Sequence, residues 1–337
     1  MKKVVFLFGR NLILLFFSTV LFSCTQQPQK ITLQGLAQGS YYAITYYDDQ
    51  KRNFRKEIDS IFHAVDLSVN LWVDSSVICK VNRNEEVILD SIFIDNFNIA
   101  QEAARLSNGY FDPTISPIVA AWGFSNKTGD SITPQLIDSL KQLVDYRKIR
   151  IENGSVIKAN PNMKLDFNAI AQGYTSDLIA SFLEGHGITT YLVNTGGEIM
   201  ARGCKPNGTP WVVGIEKPAD SYNADQIVQT RLTLCDKGLV TSGSTRKYVE
   251  RNGRRYSHCI DPKTGYPVEH NVLSVTVLAE NSVCADALAS ICMVMGMEQS
   301  LPLIERMDGV EAYYIYVNEE GALETFATEG FKELLID

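Results

Sequence analysis

The chain has 337 residues, 45% of them hydrophobic, and a formal charge of −8. This is enough apolar material for a sizeable core, arranged as one large domain or two lobes. An acidic chain lacks the basic patch that nonspecific nucleic-acid binding needs, so nucleic acid is not an expected partner.

The N-terminus reads as an address. Lys2, Lys3 and Arg10 form a basic region, and residues 12–22 are an apolar run. A bilayer span needs about 20 residues, so residues 1–23 read as a signal peptide. The sequence Leu21-Phe22-Ser23-Cys24 resembles a bacterial lipobox, with Phe22 a bulky choice. The expected mature chain is exported and begins at a lipidated Cys24. Residues 24–33 read as a polar tether and residues 34–337 as the folded domain. Six further cysteines are widely spaced, with no C-x-x-C and no zinc-like spacing. An exported chain can pair some of them. Buried thiols are the simpler expectation, above all for Cys284 and Cys292.

Residues 40–47 are aromatic and β-branched and predict a strand. Apolar spacing predicts a helix over 54–68 and another from Asp95 to Ser107, stopped by Asn108-Gly109. Pro134 opens a helix expected to reach Tyr146. Short strands follow at 148–152, 155–159 and 163–167, then a helix over 171–184. Strands are expected at 191–193, 211–216, 228–234, 255–260 and 272–279. Helices at 282–295 and 297–306 and strands at 311–317 and 322–326 complete the chain. Strands and helices mix without strict alternation, which favours an α+β fold.

Several clusters can carry chemistry. The turn His258-Cys259-Ile260-Asp261-Pro262-Lys263-Thr264-Gly265-Tyr266-Pro267 sets a histidine beside an acid in a stiff frame. Such a frame can hold a titrating imidazole in place. Asp261 is equally an ordinary Asx-turn residue. Asp286 and Ser290 share a helix face and offer hard oxygen donors suited to Mg²⁺; a solvated Asp and a packed Ser fit the pattern as well. Asp166 and Asn168 stand where a strand meets a helix, a place for an anionic ligand or for plain N-capping. Trp122, Gly123 and Phe124, with Trp72, can line a slot for a planar ring or belong to the core. Asn194-Thr195-Gly196-Gly197 and Thr241-Ser242-Gly243 are Gly-bearing turns able to meet phosphate or simply to reverse the chain.

Taken in order, these stretches resemble one family. They are Gly39-Ser40-Tyr41-Tyr42, Phe111-Asp112-Pro113-Thr114 with Trp122-Gly123-Phe124, and Leu165-Asp166 through Ala169-Ile170-Ala171-Gln172-Gly173-Tyr174 to Asp177. Then come Asn194-Thr195-Gly196-Gly197, Thr241-Ser242-Gly243, the 258–267 turn and Ala285-Asp286-Ala287-Leu288-Ala289-Ser290. Together they resemble the ApbE family of FAD:protein FMN transferases, often exported lipoproteins, over residues 35–310. The resemblance implies an α+β fold with one large catalytic domain, two lobes and the FAD site between them. It implies that a Thr or Ser hydroxyl of a target flavoprotein attacks the FMN phosphorus of FAD and AMP leaves. It further implies Mg²⁺ held by Asp286, Ser290 and the backbone oxygens of Ala169 and Ala289. FAD contacts are implied for Gln38, Trp72, Trp122, Gly123, Phe124, Asp166, Gln172 and Ile260. His258 is implied as the proton carrier and Asp261 as its orienting partner. The expected location is a lipid anchor on a bacterial membrane, facing the periplasm.

The chain departs from the family pattern in places. Gln172 stands where Lys is usual, which weakens anion binding unless Mg²⁺ or Arg246 compensates. Ser290 stands for Thr, Trp72 for Tyr, and Glu198 for Asp or Asn. A Mg²⁺-dependent FAD pyrophosphatase giving FMN and AMP, or a non-catalytic FAD-binding lipoprotein, are the alternatives.

Overall fold

The computed structural model describes residues 28–125, 131–218, 227–244, 248–251 and 254–336. The signal peptide, Cys24 and Arg246 lie outside the described residues. Eight strands form one sheet in which every neighbouring pair is antiparallel and spatial order follows chain order. They are Gln29–Ala37, Ser40–Asp48, Tyr191–Thr195, Glu198–Arg202, Gly238–Gly243, Val272–Ala279, Glu311–Val317 and Leu323–Ala327. The first strand corrects the expected tether, because residues 29–33 are already paired with the next strand.

Apart from the C-terminal helix Glu329–Lys332, the remaining described elements are inserted between these strands, and alternation along them sorts the insertions onto two faces. Tyr42, Ile44, Tyr46, Tyr191 and Val193 point into one apolar cluster with the helices Arg55–Val69 and Ala171–Gly185. Val240, Val275, Val277, Ala312 and Tyr314 point into a second, larger cluster with Ser91–Leu106 and Ser282–Met295. Intervening residues such as Leu239, Leu278, Tyr313 and Ile315 face the hairpin Trp211–Glu216/Val228–Leu234 on the other side. The helical face thus carries two adjoining clusters. The Ala171–Gly185 helix belongs to both, through Tyr174 in the larger and Ile179 in the smaller.

Some expected elements move for local reasons. The Asp95–Ser107 helix starts earlier, at Ser91, because Asp90 caps it by accepting the Phe93 N–H at 2.8 Å. The helix from Pro134 ends at Lys141 rather than near Tyr146. Residues 163–167 are not a strand. They make one parallel bridge, Ile115 to Lys164. The Asn82 side chain brackets Leu165, donating to its carbonyl at 2.8 Å and accepting its N–H at 2.7 Å. Asn194-Thr195-Gly196-Gly197 turns the chain at Gly196-Gly197 as expected, and the unexpected strand Glu198–Arg202 follows it. Thr241-Ser242-Gly243 is no turn but the end of strand Gly238–Gly243, because it pairs with Ser274 to Thr276.

One ion pair fixes how the second strand enters the helical layer. Asp48 is buried and holds Arg52 through two side-chain bonds at 2.9 Å, while also accepting the Arg52 N–H at 2.8 Å. Arg52 in turn reaches the His186 carbonyl at 2.9 Å, at the far end of the Ala171–Gly185 helix. The Arg52 bond lowers the Asp48 carboxyl from 3.8 to about 2. Such a lowered group contributes its stability above its unfolded pKa and loses it as pH falls through the folded one. Asp48→Asn is therefore expected to cost about 2 kcal/mol at neutral pH. Urea unfolding at a series of pH values should show the gap to the parent closing as pH drops from about 4 toward 2. A gap that stays constant over that range would contradict this assignment.

Candidate functional site

The site is built on the crossing of two helices, Ala171–Gly185 and Ser282–Met295. Each begins with free amide N–H groups that need an acceptor. The first has no side-chain cap of its own. Instead Asp286, from the second helix, accepts the Gly173 N–H at 3.1 Å. Asp177, from the first helix, returns the bond by accepting the N–H groups of Ser282 at 2.9 Å and Val283 at 2.8 Å. The helices thus cap each other. Contact this close requires glycine at 173, where a Cβ would stand 2.8 Å from both the Asp286 Cβ and the Ser282 carbonyl oxygen.

The electrostatics are unfavourable for bare carboxylates. Asp286 is only 6% exposed. Burial, then the Glu198 carboxylate, then Asp177 push its carboxyl far above the ordinary range, against the one Gly173 N–H that lowers it. Burial likewise raises Asp177 to about 6. Divalent cations suit such a place, since they favour the ionised, hard-oxygen form. Ser290 lies one turn beyond Asp286 on the same face, with the fully buried Ala289 before it. Among the described residues, no three His, Cys, Asp or Glu side chains group closely enough to hold a metal by themselves. The expected set asks less, combining one carboxylate, one hydroxyl and the carbonyls of Ala169 and Ala289. The buried, carboxylate-flanked Asp286 fits that demand.

Around the crossing, hydroxyls lock the strand turn to the helix. Ser176 donates to the Glu198 carbonyl at 2.8 Å and accepts from the Thr195 hydroxyl at 2.6 Å, and that hydroxyl also lies 3.1 Å from the Gln172 carbonyl. This brings Gln172 and Glu198 together over Gly196. A Cβ there would meet the Gln172 amide nitrogen at 2.7 Å and a Glu198 carboxylate oxygen at 3.1 Å, and Gly196 has φ +84. Gln38 reaches the same helix, donating to Thr175 at 3.1 Å from a hairpin turn in which Gln38 itself has φ 52. The Gln38 Oε1 is buried and has no partner among the described residues, an acceptor that a ligand donor would satisfy.

Asp166 sits on the approach to this helix. Its N–H donates to the Pro113 carbonyl at 2.8 Å and its carboxylate accepts the Asn168 N–H at 2.8 Å. Asn168 is thus bracketed by Asp166 and does not cap the helix, whose N-cap position is Ile170. Burial raises the Asp166 carboxyl to about 6. Asp112, two positions before Thr114, holds the local chain together. It accepts both the N–H and the hydroxyl of Thr114 and the N–H of Tyr146.

The 258–267 turn forms the next wall, and its Ile260–Asp261 strand touches the Ser282–Met295 helix. Trp122 is 2% exposed and Ile260 3%, packed together with Ile118 beneath the turn. The Trp122 indole donates to the Gly265 carbonyl at 2.9 Å, and its ring meets those of Tyr256 and Tyr266. Trp122 therefore holds the turn up from inside. Gly123, with φ +91, ends the helix Ser116–Trp122 and turns the chain to Phe124. The Phe124 ring meets His258 edge-on, with centroids 6.3 Å apart. Asp261 accepts the Lys263 N–H at 2.8 Å, and its carbonyl accepts the Gly265 N–H at 2.7 Å. Its side chain orients the turn, as an Asx residue does. Trp72 is 60% exposed on the turn after the Arg55–Val69 helix.

Asp177 and Glu198 hold positions at the site that the sequence reading names without assigning a role, Thr195 reads there only as part of a turn, and Thr175 and Ser176 are overlooked. A signal was present for the first. Gly173/Asp177 and Ser282/Asp286 have the same i, i+4 spacing, an amide and a carboxylate on one face of each helix.

The family model described as "ApbE family" matches residues 38–314. An FAD:protein FMN transferase of Haemophilus influenzae is 32% identical, with 93% of each chain covered. The crystal structure of a Pseudomonas stutzeri flavinyl transferase ApbE superposes with TM-score 0.81 at 30% identity, covering 91% of this chain and 97% of that one. A flavin transferase ApbE from Vibrio cholerae gives TM-score 0.80 at 28% identity, covering 91% of this chain and all of the other. Carried by the same fold and matched through the helix crossing and the 258–267 turn, this chain belongs to the ApbE family.

Proposed function

We propose that this protein transfers FMN from FAD to a Thr or Ser hydroxyl of a target flavoprotein, releasing AMP. The observation that carries the reading is the buried Asp286, flanked by Glu198 and Asp177 at a helix crossing within a flavin transferase fold. Mg²⁺ bound there by Asp286, Ser290 and the carbonyls of Ala169 and Ala289 would neutralise pyrophosphate charge as the leaving group departs. Gln38 and Asp166 offer a buried amide and a carboxylate to the polar edges of FAD. Phe124 and Gln172 border it, with Trp122, Gly123 and Ile260 supporting the wall and Trp72 at the rim. His258, beside Phe124, takes the proton of the incoming hydroxyl, since imidazole titrates near neutral pH. The hydroxyl oxygen bonds to the FMN phosphorus, the bond from that phosphorus to AMP breaks, and AMP leaves. Asp261 acts through the turn, keeping His258 in place.

The same reading sets the domain outside the cytoplasm, facing the periplasm and tethered through a lipidated Cys24. Its support is the basic, apolar and lipobox-like order of residues 2–24.

The test incubates the mature domain with FAD, Mg²⁺ and a target protein bearing a flavinylation sequence, then weighs the target. A gain of one FMN moiety is expected. AMP release with an unmodified target would instead identify a pyrophosphatase, and bound FAD without AMP release a carrier. His258→Ala is expected to slow transfer by about 10²-fold or more while leaving FAD affinity nearly unchanged. Single-turnover kinetics and flavin fluorescence titration separate the two. Lost affinity at an unchanged transfer rate would move His258 from proton transfer to binding.

A further inference from the structure

Two cysteines lie outside the site, at the two feet of one insertion. The hairpin Trp211–Glu216/Val228–Leu234 is inserted between the adjacent sheet strands Glu198–Arg202 and Gly238–Gly243. Cys204 stands where the chain leaves the sheet, and Cys235 stands where it comes back. Their Sγ atoms are 3.5 Å apart across 31 residues of sequence.

Both feet are held by other bonds. The Gly203 N–H donates to the Asp236 carboxylate at 2.8 Å, and the Ala201 N–H donates to the Lys237 carbonyl at 3.1 Å. The Trp211 indole donates to the Arg202 carbonyl at 3.3 Å, and the Thr190 hydroxyl donates to the Cys204 carbonyl at 3.4 Å. The approach of the two sulfurs is thus set by the sheet and not by chance side-chain contact. A disulfide sets its sulfurs about 2 Å apart, so closing the pair takes a further approach of about 1.5 Å. Cys204 is exposed and Cys235 half-buried. Burial, then the Cys204 thiol and the Asp236 carboxylate, push the Cys235 thiol up to about 12. Cys204 is therefore the thiol that meets an oxidant first, and Cys235 the one that resolves.

We propose that Cys204 and Cys235 form a redox-sensitive disulfide that staples the inserted hairpin to the sheet, with a small-molecule disulfide as oxidant. The Cys204 sulfur attacks one sulfur of glutathione disulfide, the glutathione S–S bond breaks, and the first glutathione leaves carrying the Cys204 proton. The Cys235 sulfur then attacks the Cys204 sulfur of the mixed disulfide. The second glutathione leaves with the Cys235 proton, so two protein thiols are oxidised and one glutathione disulfide is reduced to two thiols.

The test treats the native, reduced protein with glutathione disulfide, then denatures it, alkylates the remaining thiols and maps the peptides. The expected product is one cross-linked pair containing Cys204 and Cys235, with the mass lowered by the two thiol hydrogens. Cys235→Ser is expected to trap glutathione on Cys204. Full alkylation of both cysteines, or a lasting glutathione adduct on Cys204 in the parent protein, would overturn the proposal. The oxidised form is expected to melt about 5 °C above the reduced form, with no shift in Cys204→Ser. Equal melting of the two parent forms would overturn the stapling role.

Discussion

The structure turns on a reciprocal cap. Asp286 satisfies the start of the Ala171–Gly185 helix through Gly173, and Asp177 satisfies the start of the Ser282–Met295 helix through Ser282 and Val283. The first helix has no side-chain cap of its own and Asn281 takes only the Cys284 N–H of the second, so each N-terminus also relies on a carboxylate supplied from more than 100 residues away in sequence, the Gly173–Asp286 separation being 113. The pairing requires a bare Cα at 173 and sets two helix N-termini against one another. Their partial positive charges make the crossing a buried place suited to concentrated negative charge.

That charge has a consequence for function. A buried carboxylate with a neighbouring carboxylate resists ionisation. Asp286 is held in this state by burial and by Glu198. A bound divalent cation reverses the balance, so the same geometry that strains the metal-free protein gives a reason for metal affinity. Glu198 is brought there by hydroxyls that lock its strand turn to the helix, Ser176 to Thr195 and Ser176 to the Glu198 carbonyl. Gln172 stands beside Glu198 over Gly196 and supplies an uncharged amide there.

Much of this was legible in the sequence, and the limits have physical causes. Helices and strands with strong periodicity stand where expected: 282–295 and 311–317 match residue for residue. The 163–167 segment has a strand-like composition but no ladder partner, because Asn82 takes the backbone bonds of Leu165 and Pro113 takes the Asp166 N–H. Trp122 carries an aromatic ring of the kind that lines ligand slots, yet its face meets the protein's own tyrosines. The Asp286/Ser290 spacing was visible locally, whereas its charged surroundings depend on tertiary partners from other stretches of the chain. The mutual caps were encoded as twin i, i+4 patterns, which local reading treats as unrelated.

Asp286 caps the first helix through its oxygen, and the proposed metal role rests on its charge, so the two are separable. Asp286→Asn keeps a carbonyl oxygen for the Gly173 N–H and removes only the charge. Melting temperature in FAD, with and without Mg²⁺, separates the two. Mg²⁺ is expected to raise the melting temperature of the parent protein, whereas Asp286→Asn is expected to melt no lower than the parent without Mg²⁺ and not to respond to Mg²⁺. An Asp286→Asn protein stabilised by Mg²⁺ as strongly as the parent would contradict the metal role.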